Sequence, residues 1–294
     1  MTRIGIVGVG AIGGTLAISL HRAGHRPFLA IRQPFARLLA RLDETVVSFD
    51  DLALWREPPE ATPVDVLFVA TKAHQTDGAA DWLDRATSEE STVVVVQNGV
   101  EQEDRVRPYT RSSEVLPGII DVPAARRAPG EITLRRSGRL SLPDTDAGRR
   151  VCALFAPDDP WLEVCPDPEL ESVRWRKLCV NVISGAVPTL TDRPAEVFRA
   201  ADVQELCRQL IDEVVRVAAA EGIGLPHDVA DTIIDGFAQS PPNAVNSMLR
   251  DRRAGRPLEG DARHGAVVRI GARHGVATPY NRFAQVTLGA INTR

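Results

Sequence analysis

From Arg3 to about Leu142 short apolar runs alternate with amphipathic stretches, the pattern of a parallel sheet crossed by helices. Strands are predicted at Ile4-Val7, Pro27-Ile31, Thr45-Phe49, Val64-Ala70, Thr92-Val96 and Glu114-Ile120. The run Val93-Val94-Val95-Val96 has no polar alternation, so it should be buried on both faces in the middle of the sheet. Ile132-Leu134 and Arg139-Leu142 alternate around Ser137-Gly138 and predict a hairpin, and Trp161-Val164 a last edge strand. From Glu169 onward the chain reads as helices. One is predicted from about Val203 to Glu221, with Val203, Leu206, Leu210, Val214 and Val217 on one stripe and Gly222 ending it. Pro241-Pro242, Gly255 to Pro257 and Gly275 to Pro279 divide the rest into shorter helices. The expected organisation is an α/β domain over residues 1–166 followed by an all-α domain over 167–294.

Composition narrows the function classes. The chain has 294 residues, 44% of them hydrophobic, enough for two cores. The formal charge of −4 argues against nucleic-acid or membrane partners, which need a concentrated basic face. Arg126-Arg127, Arg135-Arg136 and Arg252-Arg253 are isolated pairs. A strand pattern directly after Met1 leaves no room for a signal segment, and no apolar stretch is long enough to span a bilayer, so a cytoplasmic protein is expected. Cys152, Cys165, Cys179 and Cys207 lack metal-finger spacing; neither disulfides nor a metal site is expected.

Gly8-Val9-Gly10-Ala11-Ile12-Gly13 follows a strand and opens a helix, the context that makes a glycine pattern a dinucleotide fingerprint. Gly8 permits the tight turn, Gly10 lets backbone approach a pyrophosphate, and Gly13 lets the helix pack on the sheet. The first domain is therefore expected to be Rossmann-type. At the end of the second strand an NAD-binding protein usually carries an acid, but here Ala30-Ile31-Arg32-Gln33 offers a planar cation suited to a 2′-phosphate. NADP(H) is the expected cofactor. Lys72 and Asn98 also stand where strands end, where α/β sheets bind ligands, although each taken alone is better explained as a helix cap and an Asn-Gly turn residue.

In the helical part, Lys177, Asn181 and Ser184 fall at i, i+4 and i+7 and project from one helix face. Reducing a ketone builds negative charge on oxygen, so a reductase needs a donor that hydrogen-bonds the carbonyl and then protonates the alkoxide. Lys177 suits that task; a solvated helix face is the plainer alternative. Ser247, at a predicted helix start, is a candidate for a substrate carboxylate or a simple N-cap. Glu259 is a candidate acceptor from Lys177 or a substrate hydroxyl, or a first-turn carboxylate favoured by the helix dipole.

The glycine motif, Thr71-Lys72-Ala73, Gln97-Asn98-Gly99, Trp175-Arg176-Lys177-Leu178 with Asn181, Asn246-Ser247-Met248-Leu249 with Asp251, Gly255-Arg256 with Glu259 and Asp261, and Gly275-Val276-Ala277-Thr278-Pro279 together resemble the ketopantoate reductase (2-dehydropantoate 2-reductase) family. The resemblance spans nearly the whole chain. It implies NADPH-dependent reduction of a small 2-oxo acid, with Lys177 as proton donor and Glu259 beside it as a catalytic group. Asn98, Lys177, Asn181, Ser184 and Ser247 would line the substrate site. The cofactor would meet Gly8, Val9, Gly10, Ala11, Ile12, Gly13, Arg32, Lys72, Asn98 and Ala124, and a homodimer is left open.

Three residues depart from the family pattern. Where it has a second asparagine followed by proline, this chain has Ser184-Gly185, and Pro194 replaces a further asparagine. Ser184 and Gly185 are expected to widen the pocket, and all three changes leave the identity of the 2-oxo acid open. The rival readings are a two-domain dehydrogenase for another 2-oxo acid and a non-catalytic NADP sensor, for which Lys177 would have no use.

Overall fold

In the computed structural model, which describes residues 2–111 and 114–292, a parallel sheet runs in the order β5 (Ala53–Trp55), β2 (Phe28–Ala30), β1 (Ile4–Val7), β6 (Val66–Val69), β7 (Thr92–Val95) and β8 (Glu114–Pro117). Successive residues of a strand point to opposite faces, and the inner strands feed two separate cores. Ile4, Ile6, Phe68 and Val94 pack with Leu16, Ile18 and Leu20 of helix α1 (Ala11–Arg22). Val7, Leu67, Val69, Val93 and Val95 pack with Trp82 and Leu83 of α2 (Ala80–Ala86). The valine run is thus covered on both sides, as its lack of alternation predicts.

The smaller sheets correct several expectations. Thr45–Phe49 is not in the parallel sheet. It forms β4 of a second sheet, ordered β10 (Ala124–Ala128), β11 (Glu131–Leu134), β3 (Leu38–Leu42), β4, and the position beside β2 is taken by Ala53–Trp55. The hairpin expected around Ser137-Gly138 does not form either. Gly138 lacks the positive φ that a tight hairpin turn requires, and β11 turns back onto β10 through Gly130, whose φ is +74°. A Cβ on Gly130 would lie 2.4 Å from the Arg37 carbonyl oxygen. Gly118 splits the predicted Glu114-Ile120 strand into β8 and β9 (Ile119–Asp121), and β9 joins a third sheet ordered β13 (Leu162–Asp167), β12 (Gly138–Pro143), β9. Short helices α3 (Gln102–Val106) and α4 (Asp146–Cys152) complete this part.

Helices follow: α5 (Leu170–Thr191), α6 (Ala201–Ala220), α7 (Val229–Ala238), α8 (Ser247–Arg253), a π-helical turn at Asp261–Gly265, α9 (Ala266–Arg273) and α10 (Pro279–Asn292). Leu210, Val214 and Val217 of the predicted stripe are buried, but Leu206 is 40% exposed and Cys207 packs inward in its place. Gly222, at φ +80°, closes α6 as expected. By its internal contacts the chain divides into one unit of Met1–Gln97 with Gln102–Leu170 and another of Asn98–Glu101 with Glu171–Arg294. Among the described residues no helix is long and apolar enough to cross a membrane.

The helical unit is tied together by a buried polar chain. Glu213 of α6 accepts from the backbone N–H groups of Tyr280 and Asn281, at 2.9 and 2.8 Å, and so caps the start of α10. It also accepts from the Asn281 amide nitrogen at 2.8 Å. The Asn281 oxygen therefore faces His264 Nδ1, 2.8 Å away, and takes its hydrogen. His264 is fully buried and its Nε2 has no hydrogen-bond partner. Burial lowers the imidazole pKa to about 4. The unfolded chain binds this proton near 6.5, so it holds more protons than the folded chain between pH 6.5 and 4. Stability then falls as the pH drops through that window, by about 3 kcal/mol in all. Thermal melts of His264→Gln should show a shallower acid-side decline than those of the natural chain; an identical slope would assign the effect to other groups.

Candidate functional site

In the first unit the glycine loop has the shape that its spacing predicts. Gly8 sits at φ +100°, and a Cβ there would lie 2.5 Å from the Thr71 backbone nitrogen. A Cβ on Gly13 would lie 2.2 Å from the Gly8 carbonyl oxygen, so only glycine lets α1 pack this close to the turn. Gly10 differs: nothing lies within 4 Å of its Cβ position, which leaves the loop's outer side open. Gly10 is the N-cap of α1 and no side chain caps the helix. The Gly10 N–H donates back to the Gly8 carbonyl at 2.9 Å, so the N–H groups of Ala11, Ile12 and Gly13 are those left to face an anion, and the open cradle of Gly8-Val9-Gly10 fits a dinucleotide pyrophosphate.

Around this loop stand the other cofactor candidates of the same unit. Arg32 is exposed just beyond β2. Lys72 is half-buried at the end of β6 and starts a short helical turn, and Ala124 opens β10, a strand packed on α1. The sequence placed Gln97 in a motif but gave it no role. Its side chain is buried, and its amide nitrogen donates to the hydroxyls of Thr71 (2.8 Å) and Thr76 (2.9 Å). This fixes the loop carrying Lys72 against the end of β7. No spacing rule marks such a residue, because its partners are more than twenty positions away.

The second unit gathers Asn98, Asn181, Ser247 and Glu259. Asn98 precedes Gly99, whose φ of +101° makes the expected turn. Its segment is held in this unit by Arg269, which donates to Glu101 at 2.7 Å and to Asp261 at 2.7 Å, and by Arg174, which donates to the Val100 carbonyl. The Asn98 amide nitrogen donates to Glu259 at 3.1 Å, while its oxygen takes a long bond of 3.5 Å from Asn181. Glu259 is buried and lies ahead of the π-helical turn. Lys177, half-buried, lies one turn before Asn181 on α5, and Ser184 is buried one turn after it. The cap of α8 is Asn246, not Ser247: the Asn246 oxygen accepts from Leu249 N at 2.9 Å and its nitrogen donates to the Ser184 carbonyl at 2.6 Å. The hydroxyl of Ser247, an exposed residue, is therefore free of that task.

A further group missed by the sequence reading sits at the centre of this cluster. Arg263 is 3% exposed, and its Nη2 is 3.4 Å from Ser247 Oγ and 3.7 Å from a Glu259 carboxylate oxygen, while Nη1 is 3.4 Å from the Asn181 carbonyl. Burial lowers its pKa, against the attraction of Glu259 and Asp251. Arg263 also corrects the expectation of a wider pocket. A Cβ at Gly185 would lie 3.0 Å from Arg263 Nη1 and 3.1 Å from Met248 Cε, so the room left by glycine is already filled.

Comparison with known proteins covers both units. Residues 4–147 match the family described as ketopantoate reductase PanE/ApbA, and residues 169–292 its C-terminal counterpart. The 2-dehydropantoate 2-reductase of Caulobacter vibrioides is 37% identical over 294 residues, covering 99% of each chain. That of Mycobacterium tuberculosis is 39% identical over 292 residues, covering 99% of this chain and 98% of its own. Among solved structures, a PanE/ApbA family ketopantoate reductase from Ralstonia eutropha is 27% identical, with a TM-score of 0.88 and coverage of 99% and 98%.

Proposed function

The chain belongs to the ketopantoate reductase family of oxidoreductases, and on that premise we propose that it reduces the ketone of a 2-oxo acid to the 2-hydroxy acid with NADPH. The substrate that its relatives' names support is 2-dehydropantoate, giving pantoate for pantothenate and coenzyme A synthesis. The observation that carries this reading is the gathering of Asn98, Asn181, Ser247 and Glu259 in the unit that also holds Lys177 one helical turn from Asn181.

The glycine loop with the N-terminus of α1 would hold the pyrophosphate, Arg32 the 2′-phosphate, and Lys72, Asn98 and Ala124 would complete the cofactor contacts. When bound, the nicotinamide supplies the hydride. Lys177 Nζ donates a hydrogen bond to the ketone oxygen and then its proton to the alkoxide. Asn181 orients the ketone from the same helix face, and the Asn98 amide holds Glu259, which accepts from the ammonium or the new hydroxyl.

The test is NADPH oxidation across a panel of branched 2-oxo acids, with NADH as the parallel cofactor. Turnover with none of them would remove the reading. Arg32→Ala should weaken NADPH by about tenfold to a hundredfold and leave NADH nearly unaffected, the loss expected for one charge-assisted pair. Unchanged discrimination between the two cofactors would put the 2′-phosphate elsewhere.

A further inference from the structure

Arg263 is a buried cation whose bonding capacity is under-used. A guanidinium carries five N–H donors. Here the directed contacts are two long bonds of 3.4 Å and an ion-pair distance of 3.7 Å, and Nε is buried with no partner. Its nearest carboxylate, Glu259, already accepts from Asn98 through the same oxygen that faces Arg263. Burying a charge without close partners is costly, and the chain makes room for this one with glycine at position 185.

The guanidinium has an edge next to an exposed residue. Nη2 stands 3.4 Å from the hydroxyl oxygen of Ser247, an exposed residue, so a ligand that meets the Ser247 hydroxyl lies beside the guanidinium. Charge points the same way: a buried guanidinium whose contacts are long attracts a carboxylate. A planar fork also matches the two oxygens of a carboxylate, which an ammonium does not.

We propose that Arg263 is a specificity-determining residue: it receives the substrate's carboxylate with Ser247 as second donor, so that the site selects free 2-oxo acids over their neutral derivatives. This rests on the 2-oxo acid reading above. It also reassigns Gly185, which serves the guanidinium and not a larger substrate.

The experiment compares kcat/KM for a 2-oxo acid and its primary amide in the natural chain, Arg263→Met and Arg263→Lys, each checked by thermal melting. The natural chain should favour the acid. Arg263→Met should lower the acid-to-amide ratio by about tenfold to a hundredfold, mainly through KM for the acid, and Arg263→Lys should recover part of it. Gly185→Ala, which crowds Nη1, should lower the same ratio and decides the matter if Arg263→Met does not fold. Equal losses on acid and amide in a folded variant, or an unchanged ratio, would overturn the assignment of Arg263 alone. A natural chain that reduces no 2-oxo acid would overturn the functional reading itself, and this inference with it.

Discussion

Lys177→Ala should cut kcat by about a hundredfold to ten-thousandfold, the usual worth of general-acid assistance and about 3–5 kcal/mol of barrier. The loss should appear in kcat because the proton is needed only as charge develops on the ketone oxygen. NADPH affinity should stay nearly intact, since Lys177 belongs to the helical unit and the glycine loop to the other. Its neighbours on α5, Trp175 and Leu178, are core residues, so the substitution exchanges only a half-buried side chain on an otherwise anchored helix. Single-turnover kinetics with a good 2-oxo acid separate chemistry from product release. A folded, NADPH-binding Lys177→Ala protein that turns over at near the natural rate would remove Lys177 as the donor.

The second large effect separates two glycines of one motif. Gly13→Ala places a methyl 2.2 Å from the Gly8 carbonyl oxygen, so the turn or the helix must move. Overpacking against backbone costs about 1–3 kcal/mol, and the protein should lose thermal stability together with NADPH binding. Gly10→Ala meets nothing within 4 Å, at an ordinary φ of −94°. It should melt like the natural chain and still bind NADPH at least about tenfold more weakly, because its methyl occupies the side from which the pyrophosphate approaches. Melting curves with fluorescence titration of NADPH distinguish the two. Unchanged NADPH affinity in Gly10→Ala would mean that the phosphates do not rest on this loop.

The strands that carry the cofactor loops were legible in the sequence, and so was the helical second half. Val93 to Val96 gave itself away because a strand covered on both faces cannot alternate, and the glycine motif because the backbone packs too closely at Gly8 and Gly13 for a side chain. The second and third sheets were not. Ile132-Leu134 and Arg139-Leu142 alternate as a hairpin would, yet one pairs with Leu38–Leu42 and the other with Leu162–Asp167. Periodicity reports which face of a strand is buried and says nothing of which distant strand lies beside it.

The same division runs through the functional residues. Sequence by itself determined the glycine loop, the polar face of α5 and the fold class, because each depends on local spacing or on the covering of one face. Only the tertiary structure decided that Asn246 caps α8 and frees Ser247, that Gln97 holds the Thr71 loop, and that Gly185 is filled by Arg263. In the sequence Arg263 is set apart by nothing in Asp261-Ala262-Arg263-His264. It becomes a buried cation because a π-helical turn, α5 and α8 close around it, and that enclosure arises from contacts 16 and 82 residues away along the chain.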